Sequence, residues 1–431
     1  MKKLKNIIIS IFLILIILPV SNGQEIILRQ SNESGIYKKG ESIKISASLS
    51  KPGKNSLYIK VLKNNTAEPA NNQVQYNGNE LLIFDKSFNE PCSIIIEVKT
   101  RSSFASLGAM VEPESITPGF SCPADFDEYW NREKKELRAL PMSVKTVPVE
   151  NMENGYLCTD TEINCTGPRP VRGYFARPFK AGDRSLPIVL LVHAAGVNGS
   201  WCLSRPEDAV RHAKMGKGAI CFDLNAHGML NGQPVEYYNN LNNNELKEYW
   251  NQGIESREAF YFRGMYLRLM RVLDFLTGLP QWDGRRILVI GESQGGGQAL
   301  AAAGLDNRVT AVVATVPAMC DWGGSLSGRA NGWPDPFGSK ADRKKMTSVL
   351  PYFDAAHLLR NSKAAIVAEI GFIDSTCPST SIYAALNQAK GKKIIYGVPY
   401  RGHHLTQQSY RKTWEETVYT PRMEFIKEYL K

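Results

Sequence analysis

The amino-acid sequence predicts an α/β fold with a mostly parallel sheet over residues 113–431, preceded by a small all-β domain over residues 24–112. Three observations carry this reading. Residues 43–49, 57–61 and 92–98 alternate apolar and polar side chains, the period of a half-buried strand. Beyond residue 113 the alternation gives way to short continuous apolar runs separated by helical patterns. That is how parallel strands covered on both faces read. Composition is ordinary for a globular chain of 431 residues, 43% hydrophobic and 22% charged, which excludes a disordered chain, a coiled coil and a collagen-like fibre.

The first 23 residues stand apart from either domain. Lys2, Lys3 and Lys5 precede an apolar run over residues 7–20 that only Ser10 interrupts, and Ser21, Asn22 and Gly23 supply small residues for cleavage. This is the pattern of a secretory signal peptide, so the mature chain is expected in the periplasm or outside the cell. The first cysteine is Cys92, so a lipid anchor on a new N-terminal cysteine is not expected. No later apolar run reaches the roughly 18 residues that a spanning helix needs. The formal net charge of +10 is spread along the chain without a Lys/Arg block, which argues for solubility and against a nucleic-acid partner.

Eight cysteines in an exported chain raise the question of disulfides, but their spacing is irregular. Cys158 and Cys165 flank a short polar stretch and are the one candidate pair, across a hairpin; the others read as small buried apolar residues. Neither C-x-x-C nor H-E-x-x-H occurs, so no metal or other cofactor is expected.

In the N-terminal domain, the alternating runs are broken by turn-forming stretches at residues 51–54 and 76–79, the signature of an immunoglobulin-like antiparallel sandwich. It holds no catalytic constellation. A packing or spacer role fits it better than a carbohydrate-binding one.

The second domain opens with a helix in which Phe126, Tyr129, Trp130 and Leu137 share one face. A hairpin region follows. Strands are then expected at residues 188–192, 219–222, 287–290, 309–316, 364–370 and 393–398, with helices at 258–277 and 298–305 between them. In such sheets ligands bind at the carboxyl ends of the strands, so the chemistry should sit just after those runs.

Directly after the run at 287–290 comes Gly291-Glu292-Ser293-Gln294-Gly295, followed by a small-residue helix. A G-x-S-x-G pattern is weak alone, but a strand–turn–helix context makes it a nucleophile elbow that lifts the serine above the sheet edge. Serine needs a base, and the base needs an orienting carboxylate; on this architecture they follow in the order acid, then histidine. Asp374 follows one downstream strand and His403-His404 the next. Glu369, inside its strand, and Asp354, in a helical stretch, are rival acids; His404 is the rival base. The oxyanion of a tetrahedral intermediate needs backbone donors. Gln294, after the serine, supplies one, and Ala195, in the loop after residues 188–192, is assigned as the other. His193 is expected to brace that loop.

Four stretches carry a family likeness: residues 122–130 (C-P-A-D-F-D-E-Y-W), G-E-S-Q-G-G-G at the elbow, G-F-I-D-S-T-C-P at residues 371–378, and P-Y-R-G-H at residues 399–403. From about Pro118 onward the chain resembles the acetyl xylan esterase/cephalosporin-C deacetylase family of α/β-hydrolases. The resemblance implies a secreted serine esterase acting on acetylated oligo- or polysaccharides, with Ser293 as nucleophile, Asp374 as acid and His403, in preference to His404, as base. Ala195 stands where the family lends a tyrosine N–H. A general short-chain carboxylesterase or a peptidase on the same fold is the alternative. The chain has Asn225-Ala226-His227-Gly228 where the family shows Arg-Gly-Gln, and His404 where it shows glutamate. Residues 229–252 do not match the interface loop of the family's ring-like hexamer, so a homo-oligomer is left open. Trp201, Trp322 and Trp333, in or near loops after strands, are expected to crowd a small acyl site.

Overall fold

The computed structural model describes residues 24–431 other than Pro52, Asn151 and residues 405–407. The expected signal peptide lies outside the described residues. Eight strands come first: β1 (Ile26–Gln30), β2 (Ile36–Tyr37), β3 (Ser42–Leu49), β4 (Asn55–Lys63), β5 (Thr66–Tyr76), β6 (Leu81–Ser87), β7 (Cys92–Lys99) and β8 (Phe104–Val111). They form a three-stranded sheet, β1-β3-β6, and a five-stranded sheet, β2-β8-β7-β4-β5. The alternating apolar residues do what their period demands. Ile43, Ile45, Ala47, Leu57, Ile59, Ile94, Ile96 and Val98 all enter one buried cluster shared by the two sheets.

Strand β8 shows why period two fades toward residue 111. Every residue from Ala105 to Val111 is buried, because one face meets that cluster while Met110 belongs to a second, larger buried cluster. A strand buried on both faces has no solvent side on which to place polar residues.

The nine-stranded sheet comprises β9 (Val144–Pro148), β10 (Tyr156–Ile163), β11 (Val171–Pro178), β12 (Leu186–Val192), β13 (Ile220–Asn225), β14 (Trp282–Glu292), β15 (Ala311–Thr315), β16 (Ala365–Gly371) and β17 (Lys393–Val398). Its order is β17-β16-β15-β14-β12-β13-β11-β10-β9. Strands β12 to β17 run parallel, and β9 to β11 add an antiparallel edge. The sheet is covered on both sides. Ile188, Leu190 and Val192 of β12 point into the cluster built with helices Phe126–Ala139, Tyr261–Thr277 and Gln294–Leu305. Val189 and Leu191, on the opposite face, meet helices Pro206–Ala213 and Thr420–Tyr429. Phe126, Tyr129, Trp130 and Leu137 all bury, as their spacing predicts.

The expectation for the cysteines needs correcting. Cys158 lies within β10 and Cys165 just past its end, so no hairpin turn separates them and none brings them together. Across the hairpin Cys158 faces Ala176 instead. All eight cysteines are free thiols, and Cys122 is exposed rather than buried. Among the described residues no helix is long and apolar enough to cross a membrane.

Candidate active site

The sequence places a sharp turn between β14 and the helix Gln294–Leu305, and the backbone there is strained. Ser293 has φ 54° and ψ −120°, a conformation that L-residues rarely adopt. Surrounding bonds hold it. The Ser293 N–H donates to the Thr315 carbonyl at 2.9 Å, and its own carbonyl accepts from the Ala318 and Gly297 N–H groups at 2.9 and 3.0 Å. Gly295 is required because a Cβ there would sit 2.4 Å from the Val192 carbonyl oxygen of β12. The helix can approach the sheet only without it.

Asp374 follows β16 and is buried. Its Oδ1 accepts the N–H groups of Thr376 and Cys377 at 2.8 and 2.9 Å, which fixes the carboxylate plane. Its Oδ2 accepts from His403 Nδ1 at 2.9 Å, and His403 Nε2 lies 2.9 Å from Ser293 Oγ. With Nδ1 carrying the proton toward Asp374, Nε2 is left as the acceptor for the Ser293 hydroxyl. Ser293, His403 and Asp374 thus form one hydrogen-bonded chain drawn from three strand ends.

The rival acids are engaged elsewhere, while His404 lines the same cavity as Ser293. Glu369 is buried in ion pairs with Arg401 and Arg422 and accepts from Trp414 Nε1 at 2.6 Å. Asp354 caps a chain turn, accepting the backbone N–H groups of Asp321, Trp322 and Ala356. Burial, reinforced by the neighbouring Asp321 carboxylate, pushes Asp354 up to about 7. His404 is exposed, with its ring centre 5.2 Å from that of His403.

A cavity of about 640 Å³ opens over Ser293, lined also by Ala195, Trp201, Trp333, Thr376 and His403. Gln294 is the first residue of its helix, where an N–H has no partner within the helix. Its side-chain Oε1 accepts from Tyr249 Oη at 2.5 Å, which pins the start of that helix. The Ala195 carbonyl accepts Trp201 Nε1 at 2.9 Å, so the indole and the loop hold each other. His193 pairs with the buried Asp223 carboxylate. Burial alone would lower its pKa, but that carboxylate prevails and holds the imidazole above its ordinary value. Two tryptophans expected at the site, Trp201 and Trp333, line the cavity, whereas Trp322 does not. It is fully buried among Phe260, Phe262 and the rest of the core.

Two features escaped sequence reasoning. His227 donates from Nε2 to the Gly196 carbonyl at 2.9 Å and accepts from Tyr261 Oη at 2.7 Å on Nδ1, bracing the loop that carries Ala195. Asn65, in the N-terminal sheet, donates from Nδ2 to the backbone carbonyl of Asp374 at 2.8 Å. No sequence pattern sets residues 64–65 apart; the turns legible in the N-terminal region lie at residues 51–54 and 76–79. Cys377 also approaches the site: its sulfur and the ligand atoms of Asp374 and His403 lie within 4.8 Å of one another. Burial holds this thiol well above its ordinary pKa, and His403 already uses both ring nitrogens on Asp374 and Ser293. A neutral thiol is a poor metal ligand, so the donor set fits a packed triad better than an ion.

Comparison with known proteins agrees with this architecture. Two solved structures share the fold: an acetyl xylan esterase from Paenibacillus sp. R4 (TM-score 0.59, 24% identity) and acetyl xylan esterase 1 from Thermoanaerobacterium sp. (TM-score 0.61, 22% identity). Each is matched over 74% of this chain, covering 99% and 98% of the respective structures. The acetyl esterase Axe7A of Xylanibacter ruminicola is 30% identical over 302 residues, which is 69% of this chain and 67% of that protein. The family model for acetyl xylan esterase (AXE1) matches residues 117–417. With an α/β-hydrolase sheet, a serine elbow at its edge and that match over most of its length, the chain belongs to the acetyl xylan esterase family and is a carboxylic ester hydrolase.

Proposed function

We propose that this protein is an exported serine esterase that removes O-acetyl groups from carbohydrate through Ser293, His403 and Asp374. The observation that carries the reading is His403, bonded at 2.9 Å to Ser293 Oγ on one side and at 2.9 Å to Asp374 on the other. Ser293 Oγ attacks the acetyl carbonyl while His403 Nε2 takes its proton, and Asp374 stabilises the imidazolium that results. The negative oxygen of the tetrahedral intermediate is met by the N–H groups of Gln294 and Ala195, each such donor contributing about 3 kcal/mol. Collapse breaks the bond to the sugar oxygen, which leaves with the proton from His403. Water, activated by the same imidazole, then attacks the acetyl-enzyme and releases acetate and free Ser293.

The substrate class, an acetylated oligo- or polysaccharide, is supported by the family and by its named relatives. Residues 24–112 are read as a separate immunoglobulin-like β-sandwich. In support, its two sheets enclose an apolar cluster of their own.

The test is acetate release from a panel of acetylated polysaccharides, with aminoacyl p-nitroanilides as the peptidase control. Wild type should release acetate, and Ser293→Ala should lose at least about a thousandfold in kcat/KM. Hydrolysis of the anilides at a comparable rate would favour a peptidase. Acetate release that survives Ser293→Ala would overturn the triad.

A further inference from the structure

The N-terminal sheet touches the catalytic apparatus at three places, all on loops that shape the cavity. Asn64 and Asn65 form the two-residue turn between β4 and β5, with Lys63 paired to Thr66 across it. Both have positive φ, 54° and 61°, as a type I′ turn requires and as asparagine tolerates. Asn64 is locked in place: its N–H donates to the Ser93 carbonyl at 2.8 Å, and its Oδ1 accepts the Ser93 N–H at 3.1 Å. From this rigid tip two bonds cross to the other domain. Asn65 Nδ2 donates to the Asp374 carbonyl at 2.8 Å, and the Asn64 carbonyl accepts the Ala330 N–H at 3.0 Å. Ala330 lies in the loop that carries Trp333, whose N–H donates to the Thr376 carbonyl at 3.2 Å. The tip therefore clamps the acid loop and the Trp333 wall together.

Strand β8 makes the third contact. The Gly108 N–H donates to the Pro399 carbonyl at 2.8 Å, on the loop leading to His403. A Cβ on Gly108 would lie 2.6 Å from both the Cβ and the carbonyl oxygen of Phe372, two residues before Asp374. Backbones so close leave the acid loop little room to shift.

We propose that the Asn64–Asn65 turn is a working part of the active site, with Asn65 as a positioning residue that holds the Asp374 loop for catalysis. This rests on the triad reading above. A carboxylate displaced by a fraction of an ångström orients the imidazole less well, and the loss falls on the chemical step rather than on binding.

The experiment uses the full-length mature protein and p-nitrophenyl acetate. Asn65→Asp keeps the shape and the turn but has no N–H to donate; Asn65→Gly keeps the turn and removes the side chain. Thr66→Ala, exposed beside the tip, is the control. Active sites are counted by end-point labelling with a serine-directed phosphonate, so that kcat is expressed per competent site. Both Asn65 variants should lose about tenfold in kcat per labelled site with KM within about twofold, while Thr66→Ala matches wild type. A merely structural role would lower the number of labelled sites and leave kcat per site unchanged, and that result overturns the proposal. So does wild-type kcat in both variants. These outcomes leave the triad untouched, whereas activity surviving Ser293→Ala would overturn the triad and this proposal with it.

Discussion

His227 shows how one buried side chain ties pH to the shape of the site. Burial, reinforced by the Arg268 guanidinium, pushes its pKa down to about 3, so it is neutral in the folded protein. Unfolded, it would protonate below about 6.5, and the unfolded state then binds the extra proton. Its contribution is therefore fully present above pH 6.5 and is lost as pH falls toward the folded value, by up to about 1.4 kcal/mol per unit. His227→Gln can keep both hydrogen bonds without titrating. Melting temperatures measured from pH 4 to 7 should fall less steeply for this variant than for wild type, and parallel curves would refute the assignment. Acyl selectivity belongs to the same scale. With Trp201 and Trp333 expected to narrow the acyl side of the cavity, an acyl chain too long for that side must displace packed atoms, at a cost of about 1 to 3 kcal/mol. Across acetate, butyrate and octanoate esters of one alcohol, kcat/KM should fall steeply, and Trp333→Ala should flatten the profile. A flat wild-type profile would leave a general carboxylesterase as the better description.

At the level of elements, the site is built from the ends of β12, β14, β16 and β17; β12 and β16 are buried along nearly all their length, whereas the edge strand β17 is only half-buried. The loops between them are positioned by bonds from elsewhere, and β8 is the clearest case. Gly108→Ala would force its new methyl into Phe372, at a cost of about 1 to 3 kcal/mol if the strands part and with a shifted acid loop if they do not. Thermal denaturation and kcat measured together should both decline. Unchanged values for both would show that the two backbones can separate freely. The buried Glu369, paired with Arg401 and Arg422, serves a related purpose by joining β16 to the loop before His403 and to the helix Thr420–Tyr429. That is structural work for an acid which position in the chain also made a candidate for catalysis.

For the whole molecule, the outstanding expectation is export. The basic start, apolar run and small residues before Gln24 predict a mature chain that begins near that residue. N-terminal sequencing of protein recovered from the periplasm or medium should read from Gln24 or close to it. A chain that keeps Met1 and partitions with membranes would contradict this.

Sequence alone determined what contiguous residues encode. Period-two runs identified which side chains of β3, β4 and β7 face inward, because strand geometry sends neighbours to opposite faces. The elbow was legible because a strained turn flanked by glycines between an apolar strand and a small-residue helix is a local steric arrangement. Asp374 and His403 were legible as chain-order partners just past strand ends. What lay beyond reach depended on packing between distant segments. Trp322 and Trp333 are eleven positions apart in similar loops, yet one fills the core and the other walls the cavity. Cys158 and Cys165 looked like a cross-hairpin pair until the strand proved long enough to carry one and end just before the other. Asn65 meets Asp374 across 309 residues of chain, and only the docking of one folded sheet against another brings them together. Such a contact depends on the relative placement of two apolar cores, which no local pattern specifies.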